Sequence, residues 1–450
     1  MNMDRSVEQL LLMEAGRAFL SGETTPDLAA LAAGPLDWER IVRGAETERL
    51  GSLLYAVLSP LGLPAPSSTH CSRIPETPSP GTPWVPSPTP RGYPGEGHNS
   101  SSPLPNAGEG QGEGAVSTQE AASRIIQVRD RLRSAWLGSR RQYLLGTQQL
   151  TRVLSAFQRE GVPVIPLRGP ALADLLYRDP GLRPFTDLDL LIHEGNLPRA
   201  LSLLSGLGYH HMEAGLPLSH ELAWRHAASF TAEDPDELPI DLHWGVVDYP
   251  GVVPVAPINH QELWDRAVRV DGPGGVRRGL CPEDLLISLA LHWAVHHALS
   301  GLIWQLDLAL LILRYGDTLD WDAVVERSVR WRIRGPVFFA LREVQERFDA
   351  AVPTWVLARL RPGGLRHALL DGIRHWGEER LERLDYLVPF LVMDRGSDIL
   401  RALASAVVPP ASWLRCRYGR ASVLGAYMAH CARIGRVCAR TARAGLGPAH

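Results

Sequence analysis

Not one of the 46 basic residues in this 450-residue chain is a lysine. A codon bias towards GC accounts for the absence, and it leaves any phosphate clamp to arginine, which binds phosphate bidentately. Cysteine is scarce. Cys71, Cys281, Cys416, Cys431 and Cys438 are scattered, odd in number and form no C-x-x-C pair. That excludes a disulfide scaffold and a zinc ribbon, and points to a reducing compartment, the cytoplasm. No uncharged apolar run reaches the ~18 residues of a membrane span, so none is expected. Residues 1–20 carry Asp4, Glu8, Glu14 and Arg17 and lack the continuous apolar stretch of a signal peptide. The formal net charge of −3 gives no global bias towards nucleic acid or membrane.

What is present is a soluble globular composition, 45% apolar and 21% charged, in a chain long enough for two or three units. Residues 1–60 read as helices: Val7, Leu10 and Leu11 begin an amphipathic pattern that Trp38 to Leu58 continues after the break at Pro35. From Pro60 to about Gly114 the chain turns to Pro, Gly, Ser and Thr. It buries too little apolar surface to offset its ordering entropy and reads as a disordered insertion, or else as a Pro-rich ligand for aromatic-lined domains. Helical periodicity returns from Ser117 to Glu160, with Tyr143, Leu150, Leu154 and Phe157 on one face and Gly161 as a C-terminal cap. Val162 to Leu167 reads as a strand, although Pro166 suits a central ladder badly. Pro170 belongs in the first turn of a following helix. Further strands are expected over Tyr209–Glu213, Ser229–Ala232 and Ile240–Val246, and helices from about Pro282 onward.

The chemistry concentrates in Gly181 to His193, G-L-R-P-F-T-D-L-D-L-L-I-H. The run ending Leu190-Leu191-Ile192 reads as a buried strand, so Asp187 and Asp189 share one face while Leu188 and Leu190 point to the other. Neighbouring carboxylates resist joint ionisation. A divalent cation removes that penalty, and hard oxygen donors in this arrangement suit Mg²⁺.

Around this strand stand Leu167-Arg168-Gly169, Arg183-Pro-Phe-Thr-Asp187-Leu-Asp189-Leu-Leu and Asp241-Leu-His243-Trp244. In that order they resemble a little-characterised bacterial nucleotidyltransferase family of the polymerase-β type, whose motifs read L-K-G, R-x-x-x-D-x-D-x-L and D/E-x-H-W. The later L-H-W-A-V-H-H segment and Gln305-Leu306-Asp307 look like that family's C-terminal helices. The resemblance implies an α+β fold, a polymerase-β-like mixed sheet with flanking helices followed by a C-terminal helical domain. The expected divisions are a helical segment 1–60, the insertion 61–116, helices 117–160, a nucleotidyltransferase core 161–250 and helices 251–450. It further implies that Asp187, Asp189 and Asp241 are catalytic and hold Mg²⁺, with Mn²⁺ as an alternative. Arg168, Gly169 and Arg183 would then meet the nucleotide, and His243, His296 and Asp307 would line the substrate pocket. The activity implied is transfer of a nucleoside monophosphate from an NTP to a hydroxyl on a small molecule, a protein or an RNA. A catalytically silent fold that binds nucleotide or a partner is the alternative, motivated by the Pro-rich insertion and by Pro170 standing where the superfamily has Ser; Arg168 in place of this family's Lys is a second departure.

Most of these residues carry a second reading. Asp187 and Asp189 fit a solvated strand edge, and Asp241 a surface strand carboxylate. Arg168 fits a strand-end salt bridge, Arg183 an ion pair with Asp187, and His243 simple packing beside Trp244. His292 and His296 stand i, i+4 on a helix with His297 adjacent, a spacing that suits a transition metal or, in so apolar a setting, pocket-lining histidines bonded to Asp307. The arginines between Trp413 and Arg443 suit RNA, an anionic membrane or a solvated helical face.

Overall fold

The computed structural model describes residues 6–32, 36–61, 118–212, 225–248, 256–272, 275–363, 393–419 and 422–445, with residues 218 and 253. The Pro-rich insertion lies outside the described residues.

Five strands form one mixed sheet in the order β1-β2-β5-β4-β3: β1 Val164–Pro166, β2 Leu188–Ile192, β3 Tyr209–His211, β4 Ala227–Ala232 and β5 Ile240–His243. β2 and β5 run parallel at the centre and the other pairs are antiparallel. β1 is the edge of this sheet, which resolves the difficulty with Pro166: a residue without an N–H is tolerated at an edge.

The register of β2 follows from its hydrophobic set. Leu188, Leu190 and Ile192 join Ile240 and Leu242 of β5 and Ala228 and Phe230 of β4 on one face. Leu150, Val153 and Phe157 of helix Thr118–Arg159, with Ala200 and Leu204 of helix Leu197–Gly206, cover that face. Each fully buried aliphatic contributes roughly 1.5–3 kcal/mol. A slip of one residue would turn Asp189 into this hydrocarbon layer, so the register is strongly held. The opposite face then necessarily carries Asp189, Asp241 and His243.

Helix Thr118–Arg159 has 42 residues and reaches both cores: Val128 and Leu132 belong to a second cluster. That cluster joins Leu11, Leu12, Ile41, Leu53 and Leu54 of the first helices to Leu306, Leu311, Val337, Phe339 and Leu341 of the later ones. Segments at opposite ends of the described chain thus share one apolar interior. Helix Val7–Ser21 opens with a capping box between Ser6 and Gln9 and closes at Gly22 in the left-handed region.

Two features depart from the sequence reading. Val268–Gly272 and Gly275–Gly279 form an antiparallel hairpin, β6–β7, within the stretch expected to be helical. Its side chains are largely exposed, so no buried stripe announces it. The first of the helices expected from about Pro282 onward ends at Leu291 and continues as a π-helical turn, His292–His296, followed by Ala298 and Leu299 at positive φ. No described helix is long and apolar enough to cross a membrane. Arg415, Arg433 and Arg436 are exposed on the last two helices, Ala411–Tyr418 and Val423–Gly445.

Candidate active site

The polar face of β2 and β5 opens into a cavity of about 250 Å³. Asp187, Asp189, Asp241, Arg168, Gly169, Arg183, His243 and His296 all line it. Asp189 and Asp241 are direct partners across the parallel ladder, as are Leu191 and His243. Parity along each strand therefore sends Asp189, Asp241 and His243 to one side. One ligand atom from each of these three lies within 4.8 Å of the others, the spacing of a cation site. No other group of three such residues is found among the described residues, and the His292, His296 and His297 set does not form one.

Asp189 is the most committed of the carboxylates. Arg168 Nε donates to its Oδ2 at 2.9 Å, Arg168 Nη2 donates to Oδ1, and His243 Nε2 lies 3.0 Å from Oδ1. Burial opposes ionisation of Asp189, but the Arg168 guanidinium and the hydrogen bonds from His243 and Arg168 outweigh it and hold the carboxyl well below its usual range. Asp187 and Asp241 stand the other way. Burial and the charges of Asp189 and Asp241 push Asp187 up to about 7; burial and Asp189 raise Asp241. Three carboxylates thus share a site with one arginine satisfied and two acids short of positive charge. The Nδ1 atom of His243 is buried with no hydrogen-bond partner.

Gly169 links β1 to helix Pro170–Leu176 at φ 61°, ψ −135°, a conformation closed to other residues. A Cβ there would stand 3.1 Å from the backbone oxygen of Asp187. The glycine lets the turn lie against the start of the acidic strand. Gly169→Ala is expected to lower the thermal unfolding midpoint, with a cost of about 1–3 kcal/mol from backbone strain alone; an unchanged midpoint in differential scanning calorimetry would contradict this account.

The remaining residues are placed less as expected. Arg183 lines the cavity but is committed to Asp307, not to Asp187. Its Nε and Nη2 donate to Asp307 at 2.8 and 2.7 Å, and the Tyr177 hydroxyl donates to the same carboxylate at 2.7 Å. Asp307 is fully buried and is absent from the cavity wall, so it supports Arg183 from behind rather than lining the pocket. The π turn also adds a histidine contact. His297 N–H bonds to the carbonyl of His292 at 3.3 Å, and the Nε2 atoms of His292 and His297 stand 3.1 Å apart. The extra residue in that turn adds this i, i+5 contact to the expected i, i+4 pair, His292 and His296, whose ring centroids lie 5.4 Å apart. Burial, then Arg168, pulls His292 well down and His296 to about 4; burial and His296 pull His297 to about 3. These rings are neutral near pH 7 and supply hydrogen bonds, not charge.

Three contributors have no signal in the motifs. Asp248 accepts from the His226 and Ala227 backbone N–H groups at 2.7 and 3.1 Å and from Arg225, and both Arg225 and Asp248 line the cavity. Arg49 enters from the N-terminal helices. Nothing in the spacing of V-V-D or E-R-L marks these residues; only the chain path brings them here.

The cavity is thus floored by paired strand carboxylates and walled by arginines. The sequence model of the family described as "Uncharacterised nucleotidyltransferase" matches residues 117–349, just over half of the chain, and the chain belongs to that family. The match supports transferase activity of that general kind. No curated protein and no solved structure matches the chain.

Proposed function

We propose that the protein is a Mg²⁺- or Mn²⁺-dependent nucleotidyltransferase with a polymerase-β-like fold, moving a nucleoside monophosphate from an NTP to a hydroxyl of a small molecule, a protein or an RNA in the cytoplasm. The observation that carries the reading is the meeting of Asp189, Asp241 and His243 at one cation-sized spot beside Asp187. The donors fit a hard cation: carboxylate oxygens dominate, and two of the three acids are held above their usual range by burial and mutual repulsion. Asp187, Asp189 and Asp241 would hold the ion. Such an ion would supply charge stabilisation for an in-line displacement at phosphorus.

The chain's own residues supply the rest. Asp241, raised and partly accessible, would accept the proton of an acceptor hydroxyl. Arg168 keeps Asp189 ionised and oriented. Gly169 lets phosphate approach the backbone at the strand-to-helix turn. The neutral histidines exclude water while offering ring nitrogens to substrate. Incubation with each labelled NTP and Mg²⁺ or Mn²⁺, alone and with cell extract, tests the proposal through nucleotide incorporated and pyrophosphate released. Binding of none of the four NTPs would end it.

Asp187 provides a second readout. Pushed up to about 7, it is partly protonated near neutrality in the metal-free protein, and a cation favours its charged form. Cation binding at pH 6.5 is therefore expected to release protons, and Asp187→Asn to reduce that release. Calorimetric titrations in buffers of different ionisation enthalpy measure it.

One observation favours the silent-fold alternative. The Arg168 guanidinium already engages both oxygens of Asp189, a use of charge that leaves that carboxylate satisfied without a cation. That reading predicts nucleotide or partner binding that survives Asp187→Ala and Asp189→Ala, without transfer.

A further inference from the structure

Four arginines line the cavity: Arg49, Arg168, Arg183 and Arg225. Three of them are neutralised. Arg168 is paired with Asp189, Arg183 with Asp307 and Arg225 with Asp248. Arg49 forms no ion pair with a carboxylate among the described residues. It lies over the indole of Trp304, with Cζ 5.4 Å from the ring centroid, and its charge favours the ionised form of Asp187 without a direct ion pair. In a cavity that must receive a polyanion, this is the positive charge left to meet it.

The backbone at Arg49 points the same way. Helix Trp38–Thr47 ends in a Schellman turn: Leu50 N–H bonds to the Ala45 carbonyl at 2.7 Å and Arg49 N–H to that of Glu46 at 3.2 Å. The left-handed residue of such a turn is ordinarily glycine, yet here it is arginine at φ 56°. Arg332 and Asp349 adopt similar angles away from the cavity, so the conformation alone proves nothing. What sets Arg49 apart is that its side chain lies in the cavity and is held there.

The support joins segments 254 residues apart. Glu48 accepts a hydrogen bond from the Leu302 backbone N–H, the first of helix Leu302–Tyr315. Gly301, at φ 92°, leaves no room for a Cβ beside the Trp304 ring, which would stand 2.0 Å away. Trp304 in turn stacks on His297 with centroids 3.5 Å apart and an interplanar angle of 17°. The guanidinium therefore sits on a platform already ordered before any ligand arrives, which reduces the entropy lost on binding.

We infer that Arg49 binds the phosphate chain of the nucleoside triphosphate, so that the N-terminal helical segment, outside residues 117–349, completes the nucleotide site. The inference rests on the function proposed above. A planar guanidinium with free donors contacts the β- and γ-phosphates of a triphosphate and has no such partner on a monophosphate.

The test compares full-length wild type with Arg49→Gly, Arg49→Gln and Arg49→Lys by calorimetry. The probes are the four NTPs, the matching NMPs and inorganic tripolyphosphate, each with Mg²⁺. Arg49→Gly and Arg49→Gln are expected to weaken NTP and tripolyphosphate binding by about 10- to 100-fold and to leave NMP affinity unchanged. Arg49→Lys should recover part of the loss. Arg49→Gly, relieved of its backbone strain, should melt no lower than wild type, which separates a binding role from a structural one. Wild type that binds no NTP removes the proposed function and this inference with it. Wild type that binds an NTP, with equal affinity in the Arg49 variants or with equal losses for NTP and NMP, removes this inference alone.

Discussion

Asp241→Asn is expected to reduce nucleotidyl transfer by on the order of 10³-fold while leaving the protein folded. The size follows from the several kcal/mol that a positioned divalent cation and its carboxylates supply to a displacement at phosphorus. The folded state argues for survival. Burial and Asp189 raise the Asp241 carboxyl above its ordinary range, so its ionised form opposes folding at pH values above that range. An amide at this position removes that opposition. At pH 7.5 the variant should therefore unfold at the same urea concentration as wild type, or a higher one, while losing activity. Wild-type turnover in Asp241→Asn, measured with saturating NTP and divalent cation, would leave Asp241 as no more than a strand carboxylate.

Asp307→Ala is expected to have the largest effect on stability, about 3–5 kcal/mol. Arg183 and Asp307 are both buried, and burial by itself would disfavour the charge on Arg183; Asp307 outweighs it and raises the guanidinium. With Asp307 gone, the Arg183 charge and the Tyr177 hydroxyl lose their acceptor inside the protein. Replacing both members by Leu should recover much of the loss, because the penalty arises from the stranded charge more than from the absence of the pair. Urea unfolding of Asp307→Ala and of Arg183→Leu/Asp307→Leu distinguishes the two. A single variant as stable as wild type would mean that water reaches Arg183 in its place.

These two residues mark the limits of what was legible. The acidic strand was readable because its period is local: Leu188, Leu190 and Ile192 alternate with Asp187, Asp189 and Leu191, and alternation fixes facing. The same alternation put Asp241 and His243 on one face, but their place beside the acidic strand was implied by the family resemblance and not by any period; helix boundaries at Pro170 and Pro282 were readable because a missing N–H is tolerated in a first turn. The edge position of β1 was not. Pro166 signalled a conflict with a central ladder, and only strand order resolved it.

The sequence by itself determined the chemistry available: carboxylates two residues apart on a buried strand, a third on another strand, a glycine at a strand-to-helix turn, and arginine as the sole strong cation. Tertiary structure alone decided which of these groups are free to act. Arg183 pairs with a residue 124 positions away, Arg168 folds back onto Asp189, and a π turn brings His297 as well as His296 against His292. Arg49, belonging to no motif, arrives from the far end of the chain. Local periodicity reports which way a side chain points. Charge pairing depends on which distant segments pack together, and that is set by the burial of two apolar cores whose members no short window contains.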